Sequence, residues 1–393
     1  MHIVAIKPIP IIWECKPVSD ALSTSKTRKA LLVKITTDRG LTGMGEAFLY
    51  GCSLSGATRM LSEQFSPLLV NEDPLHIDDL WQKMFWNSIA CGRRGIILGL
   101  MSGIDIALWD IKAQADGVPV AKALGTGIHS DRIASYASGG FYAPAKGLDG
   151  LQAETESYLE KGYQAMKMKV GRNPGRADSP LRYMANQENG VSEEEDLRRI
   201  AMVRSTLGPD KPLMIDANAS YSAKTVISLI PQWEKLGVSW VEEPLRFEDH
   251  QGLSDVRKAM RPPLQIAGFE TEQQEENFAS LLRDGCVDVV QADIGWAGGF
   301  TGTLKIAKLA EAYGKKFSLH SFGSAVHFAA SLHLASALPN TEMIESEENV
   351  NKLRSGISQP FLTDETMHFF VPDTPGLGMQ WNWNAIESLG VAQ

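Results

Sequence analysis

The chain has 393 residues, 44% of them hydrophobic and 22% charged, the balance of a water-soluble globular protein with ample material for a core. Its net charge of −9 argues against nucleic acid or an anionic membrane as partner, although local lysines and a bound cation can reverse the field inside one pocket. No apolar run reaches the ~18 residues of a membrane helix. The amino-terminal stretch is too short for a signal peptide, and Cys15, Cys52, Cys91 and Cys286 form no CxxC pair or zinc spacing, so a cytoplasmic protein with free thiols is expected.

Residues 1 to about 50 predict a meander of strands. An apolar run at 3–12 is broken by Lys7, Pro8 and Pro10; a second strand covers 30–35, and a third starts at Gly43 after a turn at 39–43. Residues 57–123 carry a helical period, clearest at 99–112, where apolar residues recur at i, i+3, i+4 and i+7. Strands followed by helices predict an α+β domain over 1–128.

After Ile128 the rhythm alternates. Strand candidates lie at 133–138, 165–170, 213–216, 240–242, 265–267, 287–291, 317–320 and 343–345. Helical patterns fall between most of them, for example at 193–207, 223–236, 302–313 and 325–337. Eight strands interleaved with helices predict an α/β barrel, (β/α)₈ or a close relative, over 129–360. The stretch 172–191, rich in Gly, Pro, Asn, Arg and Asp, reads as a long functional or mobile loop. Residues 361–393 read as a tail returning to the amino-terminal domain.

Three carboxylates end successive apolar runs: Asp216, Glu242 and Glu270, 26 and 28 residues apart. That is one βα unit each, so they would meet at one barrel mouth, where three hard oxygen ligands make a Mg²⁺ site. A single such acid would more often cap the following helix. Glu243 competes with Glu242, because adjacent strand residues face opposite ways. Asn218, two after Asp216, either reaches the same mouth or belongs to a turn. Lys167 and Lys169, at i and i+2, point to one side of their strand, and a second lysine plus a nearby metal would lower the pKa of either toward that of a general base. Asp293 and His320 end neighbouring strands 27 residues apart, close enough for the carboxylate to orient the imidazole. Glu345 closes the last strand candidate as a possible acid or hydrogen-bonding group.

The order Lys-x-Lys, Asp-x-Asn, Glu-Glu-Pro, Gly-x-Glu, Asp, Gly-Gly, His resembles the mandelate racemase subgroup of the enolase superfamily, and residues 102–110 resemble part of that family's amino-terminal domain. The resemblance covers nearly the whole chain. It implies a modified TIM barrel, (β/α)₇β, under an α+β capping domain completed by the carboxy-terminal tail. It implies Asp216, Glu242 and Glu270 as Mg²⁺ ligands, Lys169 as one base, and the His320–Asp293 dyad as the other. Lys167, and more weakly Ser138, would hold a substrate carboxylate beside the metal. Phe269 departs from the pattern, since many relatives have a second glycine there. Relatives are usually homo-oligomers, often octamers.

Such a site removes the proton α to a carboxylate and stabilises the resulting enediolate. Dehydration of a sugar acid, an aldonate or aldarate, to a 2-keto-3-deoxy acid is the expected outcome. A racemase or epimerase and a sugar-lactone cycloisomerase share the same residues. A metal-binding barrel without catalysis would not need both bases, and no Gly-x-Gly-x-x-Gly supports a phosphate-binding enzyme. Polar residues at 14–26 and Arg93 and Arg94 suit a polyol acid.

Overall fold

In the computed structural model, which describes residues 1–391, β1 (Ile3–Ser19) and β2 (Thr24–Thr37) pair as one long antiparallel hairpin, and β3 (Thr42–Ala47) lines up beside β2. The stretch 14–26, whose polar residues suit a polyol acid, is largely strand. Only its tip turns, where the Asp20 carboxylate accepts from the Leu22 and Ser23 amides at 2.8 and 2.6 Å.

The helix Ile96–Asp116 packs against this sheet, and small residues allow the approach. A Cβ on Gly45 would fall 1.9 Å from the Gly103 carbonyl oxygen. Buried Asp110 on that helix accepts from the amides of Met44 and Leu377, both at 2.8 Å, which joins the helix to β3 and to the carboxy-terminal tail. Farther along, the Ile12 amide donates to Leu389 O at 3.0 Å and the Val391 amide to Pro10 O at 3.1 Å. The tail thus runs back along β1.

Among the described residues β4 (Arg132–Ile133) pairs only with β13 (Phe369–Phe370). The barrel sheet consists of β5 (Ser135–Gly139), β6 (Met166–Lys169), β7 (Leu213–Asp216), β8 (Val238–Glu242), β9 (Gln265–Gly268), β10 (Val289–Val290), β11 (Lys316–Phe317) and β12 (Ile344–Glu347). All pair in parallel, with β12 beside β5, and the Phe317 amide reaches Asn340 O at 3.1 Å, curling β11 back toward β12. Long helices such as Glu193–Leu207 and Ala325–Ser336 lie between strands. This is a modified TIM barrel under an α+β cap.

Two strand expectations were too long. β10 and β11 stop after two residues, so Asp293 and His320 each lie three residues beyond a strand end, in the irregular backbone that follows. They still align through an isolated parallel bridge. Among the described residues no helix is long and apolar enough to cross a membrane.

Candidate active site

Strand register gathers the acids at one end of the barrel. Lys169 on β6 is level with Asp216 on β7, and Asp216 with Glu242 on β8. Glu270 follows β9 by two residues. Alternation does not extend from Glu242 to Glu243. The strand ends at Glu242, and Glu243 takes a left-handed backbone (φ +39°), so both are buried and Glu243 feels the charges of Glu270, Asp216 and Glu242.

Both lysines are buried among these acids. The Lys167 ammonium donates to Glu242 at 2.6 and 2.8 Å and lies 2.9 Å from Glu345, while Lys169 donates to Asp216. The expected lowering of their pKa depended on a nearby cation, and the surrounding acids by themselves act the other way. Burial would lower both, but Glu242 and Glu345 around Lys167, and Asp216 beside Lys169, hold each above an ordinary lysine in the metal-free protein. Burial would raise Glu345, yet Lys167, His320 and Lys169 hold it well below the usual carboxylate range. Glu345 is the second residue of β12 and does not end the strand; it is almost fully buried, and it accepts from the Ser321 amide at 3.1 Å.

The His320 Nδ1 meets Asp293 Oδ2 at 2.6 Å, which leaves Nε2 facing Glu270 at 3.3 Å. Burial opposes a charge on the ring, but Glu270, the Asp293 hydrogen bond and Glu345 outweigh it and raise its pKa to about 10. Asn218 does both things considered for it. Its backbone amide and side-chain nitrogen fold back on Asp216 at 2.9 and 3.3 Å, and it also lines the cavity. Ser138 is buried on β5, level with Lys167.

The profile described as enolase C-terminal domain-like matches residues 150–385, and that of the mandelate racemase / muconate lactonizing enzyme amino-terminal domain matches 4–125. The chain belongs to the mandelate racemase family of the enolase superfamily. It is an enzyme. It is 34% identical over 346 residues to arabinonate dehydratase of Saccharolobus solfataricus, covering 88% of this chain and 86% of that one. It is 33% identical to L-talarate/galactarate dehydratase of Salmonella typhimurium (92% and 84% covered), and 31% to D-galactarolactone cycloisomerase of Agrobacterium fabrum (94% and 93%). The 3,6-anhydro-D-galactonate cycloisomerase of Zobellia galactanivorans superposes over all of both chains with a TM-score of 0.86 at 32% identity.

Within this family frame Phe269 has a local explanation. It sits at φ +72°, a conformation that favours glycine, and its ring is buried edge-on against Phe247. The family pattern keeps the turn, and packing holds the phenyl ring in it.

The site opens into a cavity of about 420 Å³ lined by Lys169, Asn218, Glu270 and His320 on the barrel side. The hairpin tip around 20–29 and residues 48–52 cover it. Arg93 and Arg94 lie elsewhere: Arg94 pairs with Glu272 at 2.5 Å. Several contributors escaped the sequence reading. The Gln291 side-chain nitrogen donates to Glu242 at 2.7 Å, and the Tyr50 hydroxyl donates to Glu270 O at 2.9 Å beside His320. Buried Arg28 pairs with Glu347, which a strand-alternation argument from Glu345 would have found.

Arg172, from the long loop, holds the cover. Its buried guanidinium donates to the carbonyls of Asp20 and Ser23 at 3.0 and 3.1 Å, and to Asn186 and Glu188 within the loop. Arg172→Met is expected to release the hairpin tip and raise KM about tenfold, equivalent to ~1.4 kcal/mol, with a smaller change in kcat. Steady-state kinetics would check it; an unchanged KM would exclude a role for this latch in substrate binding.

Charge decides whether the residues fit a cation. Asp216, Glu242, Glu243, Glu270, Asp293 and Glu345 are all buried around three basic groups, Lys167, Lys169 and His320. Burial, with Asp216, Glu345 and Glu270 outweighing Lys167, pushes the Glu242 carboxyl up to about 8. Among the described residues no three acids or histidines are already gathered as a cage, because the lysines lie folded onto Glu242 and Asp216. Surplus negative charge on hard oxygen donors fits a divalent cation of the Mg²⁺ type.

Proposed function

We propose that this enzyme removes the proton α to the carboxylate of a sugar acid and then expels the β-hydroxyl, giving a 2-keto-3-deoxy acid. The observation that carries the reading is the presence of two candidate bases, Lys169 and the Asp293-oriented His320, on one cavity with Glu270, with Lys169 in turn donating to buried Asp216 and its neighbour Lys167 to buried Glu242. Those three acids would hold Mg²⁺, which supplies positive charge where the substrate carboxylate becomes an enediolate.

The chain's own groups then divide the work. Lys167, among the acids, would donate to the substrate carboxylate and offset its second negative charge. Lys169 or His320 takes the α-proton, according to which face of C2 carries it. Protonated on Nε2, His320 gives its proton to the departing hydroxyl, and Asp293 stabilises the imidazolium before that transfer. Glu345, kept ionised, neutralises Lys167 between turnovers, and Asn218 and Ser138 offer hydrogen bonds to the substrate. On the cavity wall Arg28 and Asn351, both bonded to buried Glu347, present polar groups suited to a row of hydroxyls.

A cycloisomerase would use the same groups to open or close a lactone, and two of the relatives named above carry that activity. A Mg²⁺-replete assay on arabinonate, galactarate, talarate and galactarolactone, read for 2-keto acid, separates the two. A 2-keto acid from at least one acyclic acid is expected; conversion of the lactone alone would replace dehydration by cycloisomerisation.

A further inference from the structure

Asp293 serves two histidines. Its Oδ2 accepts a hydrogen bond from His320 Nδ1 at 2.6 Å, while its Oδ1 lies 2.9 Å from Nε2 of His327 and accepts from the Gly295 amide at 2.7 Å. His327 is fully buried in the first turn of the helix Ala325–Ser336. No step of the proposed reaction uses it.

The hydrogen-bond partners determine its protonated nitrogen. Asp293 is held ionised at about 2: burial opposes this, and His327 and the His320 hydrogen bond prevail. An ionised carboxylate only accepts, so His327 Nε2 bears the hydrogen. Its Nδ1 lies 3.4 Å from the Ser321 hydroxyl. His327 thus donates to Oδ1, and Oδ2 stays the acceptor for His320.

The ring itself is fixed from several sides. Glu46 on β3 accepts from the Ser324 amide at 3.0 and 3.1 Å and from the His327 amide at 3.2 Å, anchoring the start of the helix. Gly295 and Gly323 leave room for the side chain: a Cβ on them would lie 2.8 Å from His327 Cδ2 and 2.6 Å from its Cβ. Phe48 packs near both histidines, 5.7 Å from each ring centre.

We propose that His327 is a positioning residue that locks the Asp293 carboxylate, so that Oδ2 stays on His320 Nδ1 and the His320 Nε2 stays aimed at the substrate. The inference rests on the proposed role of the His320–Asp293 dyad. With only the Gly295 amide left on Oδ1, the carboxylate can pivot about that contact and carry Oδ2 away from the His320 Nδ1.

His327→Leu removes the donor, and His327→Gln keeps an N–H near the Nε2 position. H327L is expected to lose about 10- to 100-fold in kcat, the usual effect of removing a group that orients a catalytic histidine, with KM for arabinonate or galactarate and Mg²⁺ affinity unchanged. H327Q is expected to recover most of that loss. In the metal-free protein the His320–Asp293 proton should give a low-field ¹H resonance that H327L shifts or broadens and H327Q retains. If H327L does not fold, His327→Asn, too short to reach Asp293, takes its place. Equal kcat in the Leu or Asn variant and the Gln variant, or a loss expressed in KM with the resonance unmoved, would overturn the inference. A fully active His320→Asn would instead remove the dyad's proposed role, which is a separate failure.

Discussion

Lys169→Ala and His320→Asn should each lower kcat for the best sugar acid by about 10²- to 10⁴-fold, the span ascribed to a positioned acid or base. Both groups reach the cavity, and the acids they pair with, Asp216 and Glu270, are carried by other segments and remain in each variant. Mg²⁺ binding, followed by calorimetry, should survive in both variants. The two losses should also differ in kind. The residue that takes the α-proton is required for solvent exchange at C2, whereas the one that assists departure of the hydroxyl leaves that exchange intact. Full activity in both variants would refute the two-base mechanism.

Lys167→Met should produce the largest loss of stability. The ammonium lies between Glu242 and Glu345, with Asp216 4.0 Å away, and all four groups are buried. Removing one partner from such a cluster leaves uncompensated charge and costs about 3–5 kcal/mol. Denaturant unfolding of the metal-free variant measures this directly. Saturating Mg²⁺ should recover part of it, because a divalent cation on the same acids replaces the missing charge and ligand binding stabilises the folded state. Catalysis should remain poor even then, since no ammonium faces the substrate carboxylate. A variant as stable as the parent without metal would mean that the acids are neutralised in some other way.

The sequence was most legible where chemistry and periodicity coincide. Asp216, Glu242 and Glu270 end short apolar runs at one-unit intervals, and the register of β6, β7 and β8 aligns the first two with Lys169. It was least legible where the backbone leaves regular geometry. Alternation gave no guide to Glu243, and strand length was overestimated before Asp293 and His320, because each lies beyond a strand end where the period of two no longer holds. The contacts of Arg172 with the hairpin tip and of His327 with Asp293 depend on loops meeting across the molecule, and no local pattern encodes that. Lys169 shows a different limit. Its position followed from spacing, but its protonation depended on how Asp216 and Lys167 balance in a buried site.

The central claim is that the α-proton leaves to a side chain and not to the neighbouring carbon. It is tested by running the Mg²⁺-replete enzyme on arabinonate or galactarate in D₂O and reading C3 of the 2-keto-3-deoxy product by NMR. The mechanism predicts one solvent deuterium at C3, since the enol is reprotonated there after the hydroxyl leaves. A product with two hydrogens at C3, one of them carried over from C2, would show an internal hydride shift and contradict enediolate formation.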